Sequence, residues 1–193
     1  MKKSKLDIVV VSTRPGRKGP AVAGWMRARA EAHAGFDVRL TDLAEANLPI
    51  FDEPDHPRAG RYVHEHTKAF SRRMMEADAF VFVTPEYNFG MPPAFLNALN
   101  YLAREWAYAP AAFVSYGGVS GGTRSVQMAK QIVTTLKMMP IPEAVSIPFF
   151  QQHLKDSGDF EPGEQQEKAA TGMLDELLRW TLALSSLRAE QRG

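Results

Sequence analysis

Three turns in this sequence carry residue types that suit the binding of a phosphorylated, flat ligand. They read STRPGRKGPA (12–21), PEYNFGM (85–91) and YGGVSGGTRS (116–125). Together they supply hydroxyls, cations, an aromatic ring and several glycines. They contain no persuasive pair of nucleophile and base, which indicates ligand binding rather than covalent catalysis.

The first turn places two hydroxyls and three cations directly before a predicted helix. A helix N-terminus offers unpaired N–H groups and the positive end of a dipole, which attract an anion. With Ser12, Arg14, Arg17 and Lys18 nearby, this turn suits a phosphate monoester; the alternative is a solvated basic turn. It contains neither Gly-Lys-Ser/Thr nor Gly-x-Gly-x-x-Gly, so tight NAD binding at this turn is not expected.

The third turn holds four glycines within residues 116–122. Glycine lets a backbone approach a flat ligand closely and adopt conformations that other residues avoid. The N–H groups of such a turn can donate hydrogen bonds to carbonyl oxygens of the ligand. The alternative is a flexible turn.

The middle turn follows directly on the apolar run AFVFV and joins chemically distinct residues. Pro85 stiffens the chain and Tyr87 offers an aromatic surface, while the backbone of residues 86–89 presents donors and acceptors to the edge of a heteroaromatic ring. Glu86 either acts as an acid or base or, as we expect, orders the turn through hydrogen bonds. Asn88 either caps the turn or contacts the ligand.

Four apolar side chains on and after the middle turn have two interpretations. They either form an apolar surface beside the ligand or pack in the core around the next helix. The residues are Phe89, Met91, Phe95 and Tyr101.

The elements that position these turns alternate along the chain. Nearly continuous apolar runs predict strands at 6–11, 36–41, 79–84, 111–116 and 144–149. Amphipathic segments predict helices at about 20–33, 61–77, 93–104, 122–138 and 163–188. This alternation predicts an α/β, flavodoxin-like fold, with a five-stranded parallel sheet of order 2-1-3-4-5 and helices on both faces. In that order the loops after strands 1, 3 and 4 converge, and these loops are the three unusual turns.

Size and charge restrict the class of protein. The chain has 193 residues, a formal net charge of +1 and no cysteine. We therefore expect one domain over 1–193, without disulfides or thiolate chemistry, and no nucleic-acid or membrane partner. The apolar run 8–11 is too short for an export signal, which favours a cytoplasmic protein. His64 and His66 are two residues apart and would face different ways on a helix, so no metal site is expected.

The segments STRPGRKGPAVAGW, PEYNFGMPPAFLNAL and SYGGVSGGTRS resemble, in order and separation, the NADPH-dependent FMN reductases. This flavodoxin-like group includes many quinone and azo reductases, and the resemblance runs from about residue 5 to 150. It implies a bound FMN. The residues implied to hold the phosphate are Ser12, Arg14, Gly19, Pro20, Ala21 and Val22. Those implied to surround the isoalloxazine ring are Pro85, Glu86, Tyr87 and Asn88 on one side and Ser115, Tyr116, Gly117 and Gly118 on the other.

The resemblance implies an oxidoreductase that passes hydride from NADPH or NADH through FMN to a quinone, azo, free-flavin or similar small-molecule acceptor. No side chain is expected to act as general acid or base, because the flavin carries the chemistry. The N–H groups of Gly117 and Gly118 are expected to stabilise negative charge on the reduced ring. The alternative is a non-enzymatic flavodoxin-type electron carrier or a flavin-binding module, for which the near-neutral charge is less suitable.

Three departures from the family pattern bear on binding and assembly. Val11 stands where glycine usually precedes the serine, Leu96 replaces a frequent lysine, and Asn100 replaces a frequent aspartate. The last two lie on the helix that often contributes to subunit contacts in this family. A homodimer is expected, with a homotetramer as the alternative.

Overall fold

The computed structural model describes residues 3–192 and contains one five-stranded sheet. All four strand pairs are parallel, and the spatial order is β2-β1-β3-β4-β5. The strands are β1 Ser4–Val10, β2 Phe36–Asp42, β3 Ala79–Pro85, β4 Pro110–Tyr116 and β5 Met139–Ile147. The predicted sheet and its order are confirmed.

Helices cover both faces of the sheet, as predicted. They are α1 Gly19–Ala32, α2 Leu43–Ala46, α3 Glu65–Met75, α4 Pro93–Tyr101, α5 Thr123–Thr135, α6 Glu164–Ala183 and α7 Ser185–Glu190. One core contains buried side chains of α1 and α6, and the other contains those of α3, α4 and α5. Every residue of β3 and β4 is buried, which explains why these strands read as unbroken apolar runs.

The largest differences from the predicted boundaries are at the start of β5 and within the last helix. β5 begins at Met139 rather than at 144, although Pro140 and Pro142 interrupt its pattern. β5 lies at the edge of the sheet, where one side of the backbone needs no partner and proline is tolerated. The predicted last helix is interrupted at Leu184 and continues as the separate helix α7.

The prediction that His64 and His66 face different ways is wrong. His64 is the extended N-cap of α3 and not a helical residue, so helical spacing does not fix its direction. The two rings stack with their centroids 5.2 Å apart, and His66 Nε2 lies 3.1 Å from Asp52 Oδ1. Within residues 3–192, no group of three or more histidine, aspartate or glutamate side chains is arranged to hold a metal ion.

Within residues 3–192, no helix is both long and apolar enough to cross a bilayer.

A buried arginine fastens the C-terminal helix to the sheet core. Arg188 in α7 is 2% exposed, and its guanidinium donates hydrogen bonds to the carbonyl oxygens of Met74, Ala77 and Ala107 at 2.9–3.3 Å. Burial lowers the pKa of Arg188 to about 10, and the side chain stays charged at neutral pH. These bonds join α7 to backbone carbonyls at the end of α3 and after α4. The Met74 carbonyl also accepts from the Ala77 N–H, and the Ala77 carbonyl also accepts from the Arg192 guanidinium.

Arg188→Ala should destabilise the fold by about 3 kcal/mol, because it removes a buried side chain that makes four hydrogen bonds and leaves the buried Ala107 carbonyl without its guanidinium donor. Denaturant unfolding measures this loss. The matched control is Arg179→Ala, which removes an arginine that is 80% exposed and should cost less than about 1 kcal/mol. Equal losses in the two variants would contradict the role assigned to Arg188.

Candidate functional site

The three unusual turns meet at one cavity on the carboxyl edge of the sheet. Its volume is about 720 Å³, which is in the range of small-molecule binding sites. The segment after β5 forms a fourth wall. The lining residues are Arg14, Arg17, Lys18, Pro85, Glu86, Tyr87, Asn88, Tyr116, Gly117, Gly118, Phe149, Phe150, Gln151 and Gln152.

The start of α1 closes tightly over the end of β1. A Cβ atom on Gly19 would lie 2.5 Å from Ser12 Oγ and 3.1 Å from the Tyr116 hydroxyl, so only glycine fits without a shift. Ser12 is fully buried beneath this contact. Lys18 is the N-cap of α1 and makes no side-chain cap, so no side chain of the protein caps the positive end of the helix dipole.

The residues predicted to hold phosphate fall into two groups. Arg14 lines the cavity, whereas Ser12 and Gly19 are buried under the helix start. The side chain of Val22 lies in the core, and the N–H groups of Ala21 and Val22 donate to the Lys18 carbonyl. Pro20, in the first turn of the helix, has no N–H to donate. The helix start thus forms the floor of the site, and the direct contacts it offers come from Arg14 and Lys18.

Ion pairing distinguishes the cationic side chains near this turn. Arg17 forms an ion pair with Asp42, with Nη2 and Oδ2 2.5 Å apart. Arg14 and Lys18 are exposed and take part in none of the ion pairs found within residues 3–192. The free positive charge at this end of the cavity therefore belongs to Arg14 and Lys18.

The middle turn is a two-residue hairpin between Tyr87 and Gly90. The N–H and carbonyl groups of these two residues exchange hydrogen bonds of 2.9 and 3.0 Å. Asn88 and Phe89 both have positive φ, 48° and 67°. Such a turn is common for asparagine followed by glycine and unfavourable for a bulky residue such as phenylalanine.

Glu86 orders this turn rather than offering a free acid or base. Its carboxylate is 6% exposed and accepts hydrogen bonds from the Ser120 hydroxyl at 3.0 Å and from the Arg124 guanidinium and backbone N–H at 2.7 and 3.1 Å. Burial by itself would raise the pKa of Glu86, but these hydrogen bonds outweigh burial and hold the pKa below its usual value. Glu86 therefore stays ionised at neutral pH and joins the middle turn to the start of α5.

The glycine-rich turn is tied to the segment after β5, and this corrects one expectation. The N–H of Gly117 donates to the Ile147 carbonyl at 3.2 Å, so it is not free to stabilise charge on a ligand. The carbonyls of Gly117 and Gly118 accept from Phe150 and Phe149 at 3.0 and 2.9 Å. A Cβ on Gly118 would meet nothing within 4 Å, so backbone at this position is open to a ligand.

Ser115 and Tyr116 differ in their relation to the cavity. The Ser115 hydroxyl donates to the Gly121 carbonyl at 2.8 Å and so stabilises the glycine turn, while its side chain is absent from the cavity lining. Tyr116 lines the cavity, its ring packs on Phe150, and its hydroxyl lies 3.5 Å from Ser12 Oγ. Burial raises the pKa of Tyr116 to about 12, so the phenol remains protonated and able to donate.

The fourth wall was missed by the sequence reasoning. It consists of the residues FFQQ, 149–152, directly after β5. The rule that ligands bind outside the carboxyl ends of strands would have included this segment if it had been applied to the edge strand as well.

The apolar residues of the middle turn and α4 also separate. Met91, Phe95 and Tyr101 are buried in the core, whereas Phe89 is 71% exposed. Core packing is therefore the correct interpretation for three of the four.

The family model described as NADPH-dependent FMN reductase matches residues 5–152. An NAD(P)H-dependent FMN reductase of Schizosaccharomyces pombe is 34% identical over 188 residues, covering 95% of this chain and 85% of that protein. A similarly named protein of Saccharomyces cerevisiae is 32% identical, with 75% and 81% covered.

A solved structure supports the fold independently. The FerB flavoenzyme NAD(P)H:(acceptor) oxidoreductase from Paracoccus denitrificans aligns with a TM-score of 0.74 and 21% identity, covering 93% of this chain and 98% of that one. The predicted resemblance, and with it the class of oxidoreductase that uses FMN and NAD(P)H, is confirmed. The chain belongs to the NADPH-dependent FMN reductase family.

Proposed function

We propose that this protein binds FMN in the cavity and transfers reducing equivalents from NADPH or NADH to a quinone, azo compound, free flavin or similar small acceptor. The observation that carries the proposal is the convergence of an uncapped helix N-terminus, an aromatic turn and a glycine turn on one cavity of about 720 Å³. These three features suit the phosphate, the ring plane and the ring edge of one ligand.

The groups at the α1 end of the cavity suit a phosphate. The N-terminus of α1 has no side-chain cap, and Arg14 and Lys18 stand beside it without an ion-pair partner among residues 3–192. Gly19 lets the helix start lie directly on Ser12 and Tyr116. An anion at this place would meet both a helix dipole and two cations.

The ring end fits as well. Tyr87 and Pro85 present apolar and aromatic surface, and the open backbone at Gly118 allows close approach of a flat group. Gln151 and Gln152 add amide donors and acceptors that the sequence reasoning had not included. A cavity that combines apolar and aromatic surface with polar groups in this way is typical of a cofactor site.

The protein's part in the reaction is binding and orientation. Bound FMN would supply the redox chemistry, accepting a hydride equivalent from the nicotinamide and returning two electrons to the acceptor. For a quinone, NADPH, one proton and the quinone give NADP⁺ and the hydroquinone. Water is expected to supply the proton rather than a dedicated acid, because Glu86 is ionised and the raised pKa of Tyr116 makes its phenol a weak acid.

We also propose a homodimer, with a homotetramer as the alternative, and a cytoplasmic location. The family resemblance supports the assembly, and the absence of cysteine is consistent with a reducing compartment. The net charge of +1 favours an enzyme over an electron carrier, which usually docks through a strongly acidic surface.

The purified protein should show the visible absorbance of bound flavin, and anaerobic addition of NADPH should bleach it because the ring becomes reduced. Steady-state oxidation of NADPH should then require a quinone or similar acceptor. A protein that is colourless and takes up no added FMN would overturn the proposed function.

Arg14→Ala should weaken FMN binding by about tenfold to a hundredfold, the usual worth of one hydrogen bond to a charged group. Fluorescence titration of the apoprotein with FMN measures the Kd. Arg27→Ala is the matched control, since it removes a 52% exposed arginine from α1, the helix that follows this turn, where the side chain pairs with Glu31. An unchanged Kd in Arg14→Ala would show that Arg14 makes no phosphate contact.

Glu86→Gln should destabilise the protein by about 2 kcal/mol at pH 7, because it removes a nearly buried carboxylate from its hydrogen-bond donors. The pKa of Glu86 is below its ordinary value of 4.5, so the stabilisation is present above that pH and is lost as the pH falls through the lowered pKa. The difference in free energy of unfolding between parent and variant should therefore narrow below pH 4.5. The control is Glu31→Gln, at a 49% exposed carboxylate, which should change stability by less than about 0.5 kcal/mol. If the difference in free energy of unfolding between the parent and Glu86→Gln stayed constant with pH, the role of Glu86 would be contradicted.

A further inference from the structure

Phe89 occupies a conformation that its side chain disfavours and exposes its ring. It is the second of the two residues with positive φ in the middle turn, with φ of 67°, and it is 71% exposed. Glycine is the usual residue at this position of such a turn. The fold therefore gains nothing from a phenylalanine here through burial.

The ring is nevertheless held in place. The Arg124 guanidinium lies over it, 3.7 Å from the ring centroid. Arg124 is itself fixed by Glu86, whose carboxylate is 6% exposed and also accepts from Ser120. The position of the Phe89 ring is thus set by a carboxylate that belongs to the wall of the cavity.

The arrangement leaves apolar surface at the edge of that wall. The guanidinium covers one face of the Phe89 ring, which leaves the rest of the ring exposed. Met128, 39% exposed, adjoins the same turn, since its sulfur lies 3.4 Å from where a Cβ on Gly90 would stand. Asn88, next to Phe89 in the chain, lines the cavity.

We propose that Phe89 determines acceptor specificity by providing an apolar platform at the rim of the cavity on which a flat aromatic acceptor stacks. This inference rests on the proposed function and assigns to Phe89 the preference of the enzyme for planar acceptors. Strained conformations at the edge of a site are retained where the side chain serves the site. A ring whose geometry is fixed by Arg124 loses little conformational freedom when it stacks on a ligand.

The test removes the ring without adding backbone strain. Phe89→Gly and Phe89→Asn both tolerate positive φ, so their Tm should equal or exceed that of the parent. The KM for a naphthoquinone should rise about threefold to tenfold in both variants, the usual worth of one aromatic contact, with kcat at saturation unchanged. Phe89→Tyr keeps the ring and should restore the parent KM.

Two further measurements separate stacking from a general effect. With hexacyanoferrate(III), an octahedral acceptor without a flat apolar face that takes one electron per ion, the KM should be the same in parent and variants. Calorimetric titration with 2-naphthol, a planar aromatic that is not reduced, should show weaker binding to Phe89→Gly than to the parent. Leu182→Ala, which removes a 60% exposed apolar side chain from α6, is the control and should leave all of these values unchanged.

The inference is overturned by an unchanged naphthoquinone KM in Phe89→Gly, or by equal rises with both acceptors. It is also overturned if the variant changes the molecular mass in light scattering, since the ring would then serve a subunit contact. Failure of the proposed function would give a different result, since the unsubstituted protein would then oxidise NADPH with neither acceptor. In that case the proposed role of Phe89 in stacking an acceptor would also be overturned.

Discussion

The site depends on the register of three parallel strands. Val10 of β1 pairs with Val83 of β3, and Val83 pairs with Val114 of β4. Two residues further along each strand stand Ser12, Pro85 and Tyr116, so the three turns leave the sheet at the same level. Segments separated by tens of residues in the chain are placed side by side because parallel ladders fix the relative positions of strand ends.

Close contacts then convert this alignment into a binding surface. Gly19 allows α1 to start on top of Ser12 and Tyr116, and the N–H of Gly117 is taken up by the Ile147 carbonyl. The end of the cavity proposed to receive the phosphate is thereby built on a packed floor, and the glycine turn is held to the segment after β5 rather than left flexible. Rigid positioning of this kind lowers the entropy lost on ligand binding.

Charge pairing gives the site its polarity. Asp42 pairs with Arg17 and Glu86 pairs with Arg124, which leaves the positive charge of Arg14 and Lys18 at the end of the cavity proposed to receive an anion. Arg124 of the Glu86–Arg124 pair also lies over the Phe89 ring. The same ion pair therefore fixes the charge at the start of the middle turn and the position of the aromatic ring near its end. The Glu86 carboxylate stabilises the turn rather than transferring a proton, since its pKa is lowered and it stays ionised at neutral pH.

The sequence by itself determined the order of strands and helices, the three turns and the family, because these depend on local hydrophobic patterns and on motifs that are contiguous in the chain. It did not determine which cations are free, since Arg14 and Arg17 look alike until Asp42 is brought beside one of them. Nor did it show that the Gly117 N–H is occupied, that residues 149–152 form a wall, or that Phe89 is exposed while Phe95 is buried. Each of these depends on contacts between residues far apart in the chain, and only the packing of the sheet, its helices and its loops decides them.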